Sequence, residues 1–211
     1  MDNFKSAVIL AGGQSSRMEF DKQCLIINEK RLIFEIARKL ENHFDDITIV
    51  TNKKEYYQDC KYNVVSDEMK NMGPLAGISV GLKQSLSNYV YIIACDMPNI
   101  DARYIKYLKN KVQKDIQAKK SLDIYISNIN NKIQLFQGFY KKELSHEIND
   151  YLLYGSKRSV ISFYERTNKN VSYIDGKEFR EHEFRNDIFI NLNTKEELNL
   201  YKKEVENYEC S

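Results

Sequence analysis

Near the start of the chain, glycine, serine, arginine and lysine residues fall close together in Leu10-Ala11-Gly12-Gly13-Gln14-Ser15-Ser16-Arg17-Met18-Glu19-Phe20-Asp21-Lys22. This set can hold phosphate. Gly12 and Gly13 reach backbone angles closed to other residues and carry no side chain that would keep a polyphosphate away from peptide N–H groups. Ser15 and Ser16 add hydroxyl donors, and Arg17 and Lys22 add positive charge for the oxygens. The spacing is neither the Walker A pattern nor the three-glycine dinucleotide fingerprint. A Gly-Gly pair alone reads as an ordinary tight turn, and the basic residues that follow shift the balance toward a phosphate cradle.

A second chemical feature is Cys95-Asp96-Met97-Pro98, which follows an apolar run. An aspartate at a strand tip, fixed by a proline turn, can hold Mg²⁺ against a triphosphate. The competing use, capping the next helix, falls more naturally to Asp101. Asn52, after another short apolar run, offers the acceptor and donor that a base edge needs, although asparagine is also a common turn residue.

These groups need a scaffold, and the patterning describes one. Ala7-Val8-Ile9-Leu10 is a buried strand that opens into the glycine loop. Residues 31–44 carry Ile33, Ile36, Ala37, Leu40 and Phe44 at helical spacing, and the β-branched run 47–50 follows, which completes a βαβ unit. A right-handed crossover makes the two strands parallel neighbours, with the loop at the carboxyl edge where such folds bind nucleotides. A short strand at 63–65 ends near Asp67. Pro74 suits the first position of a helix bearing Leu75, Ile78, Leu82 and Leu86. The nearly continuous apolar run 89–94 reads as a central parallel strand covered on both faces. A helix over 101–117, a hairpin-like pair at 124–126 and 133–136, and helices through Leu144, Ile148 and Leu152 and from Val160 follow. A last strand is predicted at 188–190, and Thr194 and Glu197 have capping-box spacing before a closing helix that carries Leu198, Tyr201 and Val205.

Composition narrows the function. At 211 residues, 42% hydrophobic and 29% charged, the chain suits one folded domain spanning 1–211 rather than disorder. A net charge of +2, without a basic stripe, argues against nucleic acid or an anionic membrane as partner. Cys24, Cys60, Cys95 and Cys210 lack the spacing of a zinc site or a disulfide framework, so a reduced cytosol is expected. No apolar stretch reaches spanning length, and a cytoplasmic protein is expected. His43, His146 and His182 lie in polar surroundings and offer no Ser-His-Asp or Cys-His arrangement for hydrolysis.

The run L-A-G-G-x-S-x-R-M-x-x-D-K resembles the signature of the molybdenum cofactor guanylyltransferases, within the nucleotidyltransferases of Rossmann-like fold. Asp67, Gly-Pro-Leu-Ala-Gly at 73–77, Cys-Asp-x-Pro at 95–98 and Asn-x-Asn-Thr-x-Glu-Glu-Leu at 191–198 extend the likeness in the same order over nearly the full chain. The resemblance implies a three-layer α/β fold with a mostly parallel sheet and helices on both faces. It also implies transfer of GMP from GTP to molybdopterin cofactor, with Mg²⁺ on Asp96. Arg17, Lys22 and Asp96 are then the catalytic candidates, and Leu10, Ala11, Gly12, Gly13, Lys22, Asn52, Asp67 and Asp96 the GTP-binding set. Lys157 and Arg158, in a family-like G-x-x-R-x-V segment, could meet a second phosphate or simply face solvent. Asn191 and Asn193 fit either the acceptor side or the metal shell. Molybdenum-insertion proteins and molybdoenzyme chaperones are the implied protein partners. Two rivals stay open: a cytidylyl- or sugar-phosphate nucleotidyltransferase with the same loop, and a non-catalytic nucleotide-binding partner in cofactor delivery. One departure stands out: Glu19 occupies a position where the family pattern has glycine, placing a carboxylate in a loop meant for phosphate.

Overall fold

The computed structural model describes residues 3–12, 21–66, 72–154 and 159–209, with 206–209 described by backbone alone. Its elements in chain order are β1 (Ser6–Leu10), β2 (Ile26–Ile27), β3 (Lys30–Arg31), α1 (Leu32–Leu40), β4 (Asp46–Val50), β5 (Asn63–Val65), α2 (Pro74–Gln84), β6 (Tyr89–Ala94) and α3 (Ala102–Gln117). The second half contributes β7 (Ile124–Ile129), β8 (Lys132–Lys141), α4 (Leu144–Tyr154), α5 (Val160–Arg166), β9 (Val171–Asp175), α6 (Gly176–Glu181) and α7 (Lys195–Glu209).

Seven strands form one sheet in the order β5-β4-β1-β6-β8-β7-β9, in which only β8 runs against its neighbours. The central strands are apolar at successive positions because both of their faces are covered. On one face, Ala7, Ile9, Tyr91 and Ile93 join a core with Ile33, Ile36 and Leu40 of α1 and Tyr104, Ile105 and Leu108 of α3. On the other, Val8, Leu10, Val90 and Ile92 join Leu75, Ile78 and Leu82 of α2, together with residues of α4 and α5. This is the expected three-layer α/β arrangement. Helix α2 reaches β1 closely enough that a Cβ at Gly81 would lie 2.6 Å from Val8 Cγ1.

Parallel pairing brings the ends of three strands level: Leu10 is in register with Val50 on one side and Ala94 on the other. The bonds continue past the strands, from Ala11 N to Val50 O (2.8 Å) and from Cys95 N to Leu10 O (3.0 Å). The segments after β1, β4 and β6 therefore emerge side by side.

The predicted hairpin is present and longer than the sequence suggested. Asn130 and Asn131 turn with φ of 51° and 61°, as a tight primed turn requires. Strand β8 then pairs with β7 on one side and β6 on the other, and it bulges: Ser127 faces Gln134 while Tyr125 faces Phe139. Inside the bulge Gln137 has a φ of 58° and is fully buried. Its amide donates to Asn99 O (3.0 Å) and Ile188 O and accepts from the Tyr91 hydroxyl (3.1 Å), which offsets the cost of the left-handed backbone.

Those bonds also decide the form of a later segment. The apolar run 188–190, expected as a strand, forms turns instead. Gln137 takes the Ile188 carbonyl, Asn99 donates to Asp187 O (3.1 Å), and Leu192 N donates to Asp96 O (2.9 Å). Side chains and a loop carbonyl thus satisfy the backbone that a ladder would have used. Two further differences concern Leu86, which lies beyond α2 and is exposed, and the edge strand β9 with α6, which the sequence reading did not assign. The capping box at α7 is formed: Glu197 N donates to Thr194 Oγ1 (3.1 Å), and Glu197 Oε2 accepts from Thr194 N (3.0 Å). Cys24, Cys60 and Cys95 are free thiols. Among the described residues no helix is long and apolar enough to cross a membrane.

Asp101 caps α3, as expected, accepting from Arg103 N (2.8 Å), and it also accepts from Arg185 N (3.1 Å). Burial alone would raise its carboxyl pKa, but the N–H groups of Arg185 and Arg103 and the Arg103 side chain outweigh it and hold the pKa below the ordinary value. A depressed folded-state pKa gives stability that is present above the unfolded value of about 3.9 and lost as pH falls through the folded value. Asp101→Asn, which can still cap, is expected to flatten the fall of melting temperature below about pH 4. Thermal melts of both proteins between pH 3 and 6 check this, and identical slopes would dismiss the linkage.

Candidate active site

Where β1, β4 and β6 end together, a cleft of about 270 Å³ opens, lined by Leu10, Ala11, Gly12, Asp21, Lys22, Pro74, Ala94, Cys95, Asp96, Phe136, Asn191 and Asn193. Seven of the residues singled out from sequence meet there: Leu10, Ala11, Gly12, Lys22, Asp96, Asn191 and Asn193. Asn52 stands exposed at the rim, its amide nitrogen 3.9 Å from where a Cβ on Gly12 would sit. Gly12 has an ordinary φ, so its lack of a side chain serves room in the cleft rather than backbone angle. Gly13, Arg17, Asp67, Lys157 and Arg158, with Glu19, lie outside the described residues.

The centre of the cleft is a charged pair with a polar companion. Lys22 Nζ lies 2.7 Å from Asp96 Oδ2 and donates to Asn193 Oδ1 at 2.5 Å. Asp96 is 7% exposed and sits one residue beyond Cys95, in the turn closed by Met97 N on Ala94 O (3.2 Å). Beneath that turn Lys39 donates to Pro98 O (3.1 Å), and burial pulls its pKa down. Burial, reinforced by the neighbouring Asp96 charge, pushes the Cys95 thiol well above its usual range, so it is a neutral wall rather than a nucleophile.

Asn193 is held from two sides. Its own amide donates to Asn191 O (3.3 Å), and its backbone N–H donates to Glu197 Oε2 (2.6 Å), the carboxylate of the α7 capping box. The Asn191 amide turns back to Phe189 O (3.2 Å). Lys22 lies in a 3₁₀ turn, Lys22–Cys24, capped by the Asp21 side chain, which accepts from Gln23 N (3.2 Å).

Sequence reasoning did not single out Phe136, Cys95 or Asp21 as cleft residues, and it reached Pro74 only through the Gly-Pro-Leu-Ala-Gly run, which the resemblance gives to the nucleotide-binding face. Asp21 had a signal, since it precedes the lysine in the motif itself. Phe136 had none, because it lies in a bulge of β8 against its hairpin partner β7, an irregularity with no local pattern of its own.

Among the described residues no group of three or more His, Cys, Asp or Glu gathers as a metal cage. The cleft donors among the described residues are the Asp96 carboxylate, the asparagine amides and the Asp21 carboxylate, whose Oδ2 is engaged by Gln23 and Lys53. That suits Mg²⁺, which keeps several waters and is held through one or two carboxylates plus substrate phosphates.

Comparison with known proteins shows the family and the fold. Residues 7–169 match the family model described as a MobA-like NTP transferase domain. A "probable molybdenum cofactor guanylyltransferase" of Peptoclostridium acidaminophilum is 44% identical over 95% of this chain and 89% of its own length. A molybdenum cofactor guanylyltransferase of Syntrophotalea carbinolica is 37% identical over 95% of this chain and 92% of its own. The crystal structure of molybdopterin-guanine dinucleotide biosynthesis protein A from Archaeoglobus fulgidus superposes with a TM-score of 0.80, covering 96% of this chain and 99% of that one, at 20% identity, which bears on the fold. With the family model covering most of the chain and the bacterial relatives covering nearly all of it, the chain belongs to the MobA-like NTP transferase family, among the molybdenum cofactor guanylyltransferases.

Proposed function

We propose that the protein transfers GMP from GTP to molybdopterin cofactor, forming the guanine dinucleotide form and pyrophosphate. The observation that carries the assignment within the fold is the convergence of Lys22, Asp96 and Asn193 in the cleft at the ends of β1 and β6. A terminal phosphate oxygen of the pterin attacks the α-phosphorus of GTP; a P–O bond forms there, and the bond to the β-phosphate oxygen breaks as pyrophosphate leaves. Chemistry of this kind asks the protein for positioning and charge neutralisation more than for covalent participation.

Backbone N–H groups around Gly12 and Gly13, with Ala11 beside them, serve the triphosphate, and Leu10, Asn52 and Asp67 frame the nucleoside. Arg17 and Lys22 stabilise charge that builds toward the leaving pyrophosphate. Asp96 would hold Mg²⁺, which supplies charge neutralisation at the phosphate oxygens when bound. Lys22 pairs with the same carboxylate, so under this reading one carboxylate serves both the ammonium and the cation. Asn191 and Asn193 face the acceptor, with Lys157 and Arg158 assigned to its phosphate.

The test is a nucleotide panel with molybdopterin cofactor and Mg²⁺, followed by dinucleotide formation and pyrophosphate release. GTP is expected to exceed CTP and ATP in kcat/KM by about 10²-fold or more, since a site built to pair a base edge rejects bases that leave it unpaired. Equal use of CTP would transfer the chain to the cytidylyl class, and binding without turnover would make it a non-catalytic partner.

A further inference from the structure

The lysine at the centre of the cleft sits on a turn of only three residues, and such a turn has little rigidity of its own. Its neighbour Gln23 supplies what the turn lacks. Gln23 is buried and is not among the residues lining the cleft. Its amide nitrogen donates to Asp21 Oδ2 (3.1 Å), and its amide oxygen accepts from the Thr51 hydroxyl (2.7 Å) and the Tyr57 hydroxyl (3.1 Å). Its backbone carbonyl accepts from Arg31 (2.9 Å), whose guanidinium lies over the rings of Phe34 and Tyr57 at 4.7 and 4.8 Å. Thr51 is itself fixed at the end of β4, with its N–H on Val65 O (2.9 Å) and its hydroxyl accepting from Lys53 N (3.0 Å). Lys53 closes the circuit with an ion pair to Asp21 Oδ2 (2.8 Å).

We infer that Gln23 is a positioning residue: it pegs the Lys22 turn to the carboxyl end of β4 and so sets the reach of the Lys22 ammonium toward Asp96 and Asn193. The residue type follows from the contacts. One end must donate to a carboxylate while the other accepts two hydroxyls, and of the side chains of this length only the primary amide does both. Glutamate has the right shape and sets a carboxylate against Asp21. Leucine leaves the Asp21 oxygen and two buried hydroxyls without this partner, an arrangement the interior penalises. A displacement of about 1 Å at a charge-stabilising group costs catalysis steeply, so the effect falls on the chemical step.

The inference rests on the guanylyltransferase reading for its effect on rate, and not for its effect on Lys22. Two readouts separate these. The first is the rate at which Lys22 is acylated by an amine-specific reagent, followed by peptide mass spectrometry with Lys111, which pairs with Glu178 and does not line the cleft, as the internal control. In Gln23→Leu and Gln23→Glu the Lys22 rate is expected to rise at least fivefold while the Lys111 rate is unchanged. The second is steady-state turnover with GTP and molybdopterin cofactor well below the melting temperature. Here kcat is expected to fall 10- to 100-fold, with KM for GTP changed less than threefold. Thr51→Val, which removes one hydroxyl donor and keeps the shape, is expected to show both effects more weakly and provides the folded variant if the Gln23 substitutions do not fold. Unchanged Lys22 acylation in the folded variants would overturn the inference, as would a loss of rate no larger than the loss of folded protein. If wild-type protein does not turn over any nucleotide but Lys22 acylation still rises in the variants, the functional reading fails and the positioning role stands.

Discussion

Asp96→Asn lowers kcat for nucleotidyl transfer by about 10²- to 10³-fold or more, the range seen when a group that stabilises transition-state charge is removed. The substitution conserves volume, and the amide oxygen can still accept from Lys22, so the cleft keeps its shape while losing the negative charge that pairs with that lysine among the described residues. Under the proposed assignment the loss is twofold in kind: the divalent cation loses its carboxylate, and Lys22 keeps an acceptor but loses the charge opposite it. The apparent affinity for Mg²⁺ is therefore expected to fall together with kcat, while far-UV circular dichroism stays that of the wild type. Pyrophosphate release measured over a range of Mg²⁺ concentrations checks both. Turnover near the wild-type rate would remove Asp96 from the metal site.

The second large effect is on stability. Gly138 lies in β8 where the bulge ends, in register with Ile92 of β6. A Cβ there would fall 2.5 Å from the carbonyl oxygen of Tyr125 and 2.8 Å from Ile126 Cγ2. The first of these is backbone in the adjacent strand and has no rotamer in which to retreat. Overpacking of this kind costs about 1–3 kcal/mol, and more where backbone must move, so Gly138→Ala is expected to cost about 3 kcal/mol. For a chain of this size that corresponds to a fall of about 6–12 °C in melting temperature. Gly176→Ala is the matched control, since its Cβ would meet nothing nearer than the Arg180 guanidinium at 3.4 Å. Equal melting temperatures for the two variants would show that β8 has freedom the packing does not suggest.

The half of the molecule that carries the phosphate loop was legible because local pattern and long-range pairing agree there. The runs at β1, β4 and β6 are apolar on both faces, the intervening helices show their spacing, and right-handed crossovers leave one arrangement for the strands. Once those strands are parallel neighbours, Leu10 and Ala94 must end level, and the segments carrying Lys22 and Asp96 start from one edge. The meeting of these two residues was thus contained in the order of the elements. What escaped depends on contacts that no local pattern encodes. The run 188–190 has the composition of a strand, yet its carbonyls are taken by Gln137 and its flanks by Asn99 and Asp96. The bulge that carries Phe136 at the cleft is an irregularity in the β7–β8 pairing, which leaves residues 135–138 of β8 opposite Ile126 alone. Gln23 carried no motif signal because its partners come from β4 and from the turn that holds Tyr57. Arg17, Gly13 and Asp67 remain expectations from the sequence likeness.

The bond from Lys22 to Asn193 spans 171 positions. A ribosome adding about 5–20 residues per second makes the second partner roughly ten to thirty seconds after the first. During that interval the growing polypeptide can assemble β1, α1, β4 and β6 and bring Lys22 to Asp96, but it has no asparagine for the other side of the cleft and no Glu197 to hold one. Ligands stabilise only states that bind them. Under the proposed assignment, any part of the pterin affinity that runs through Asn193 can favour only chains synthesised past that residue.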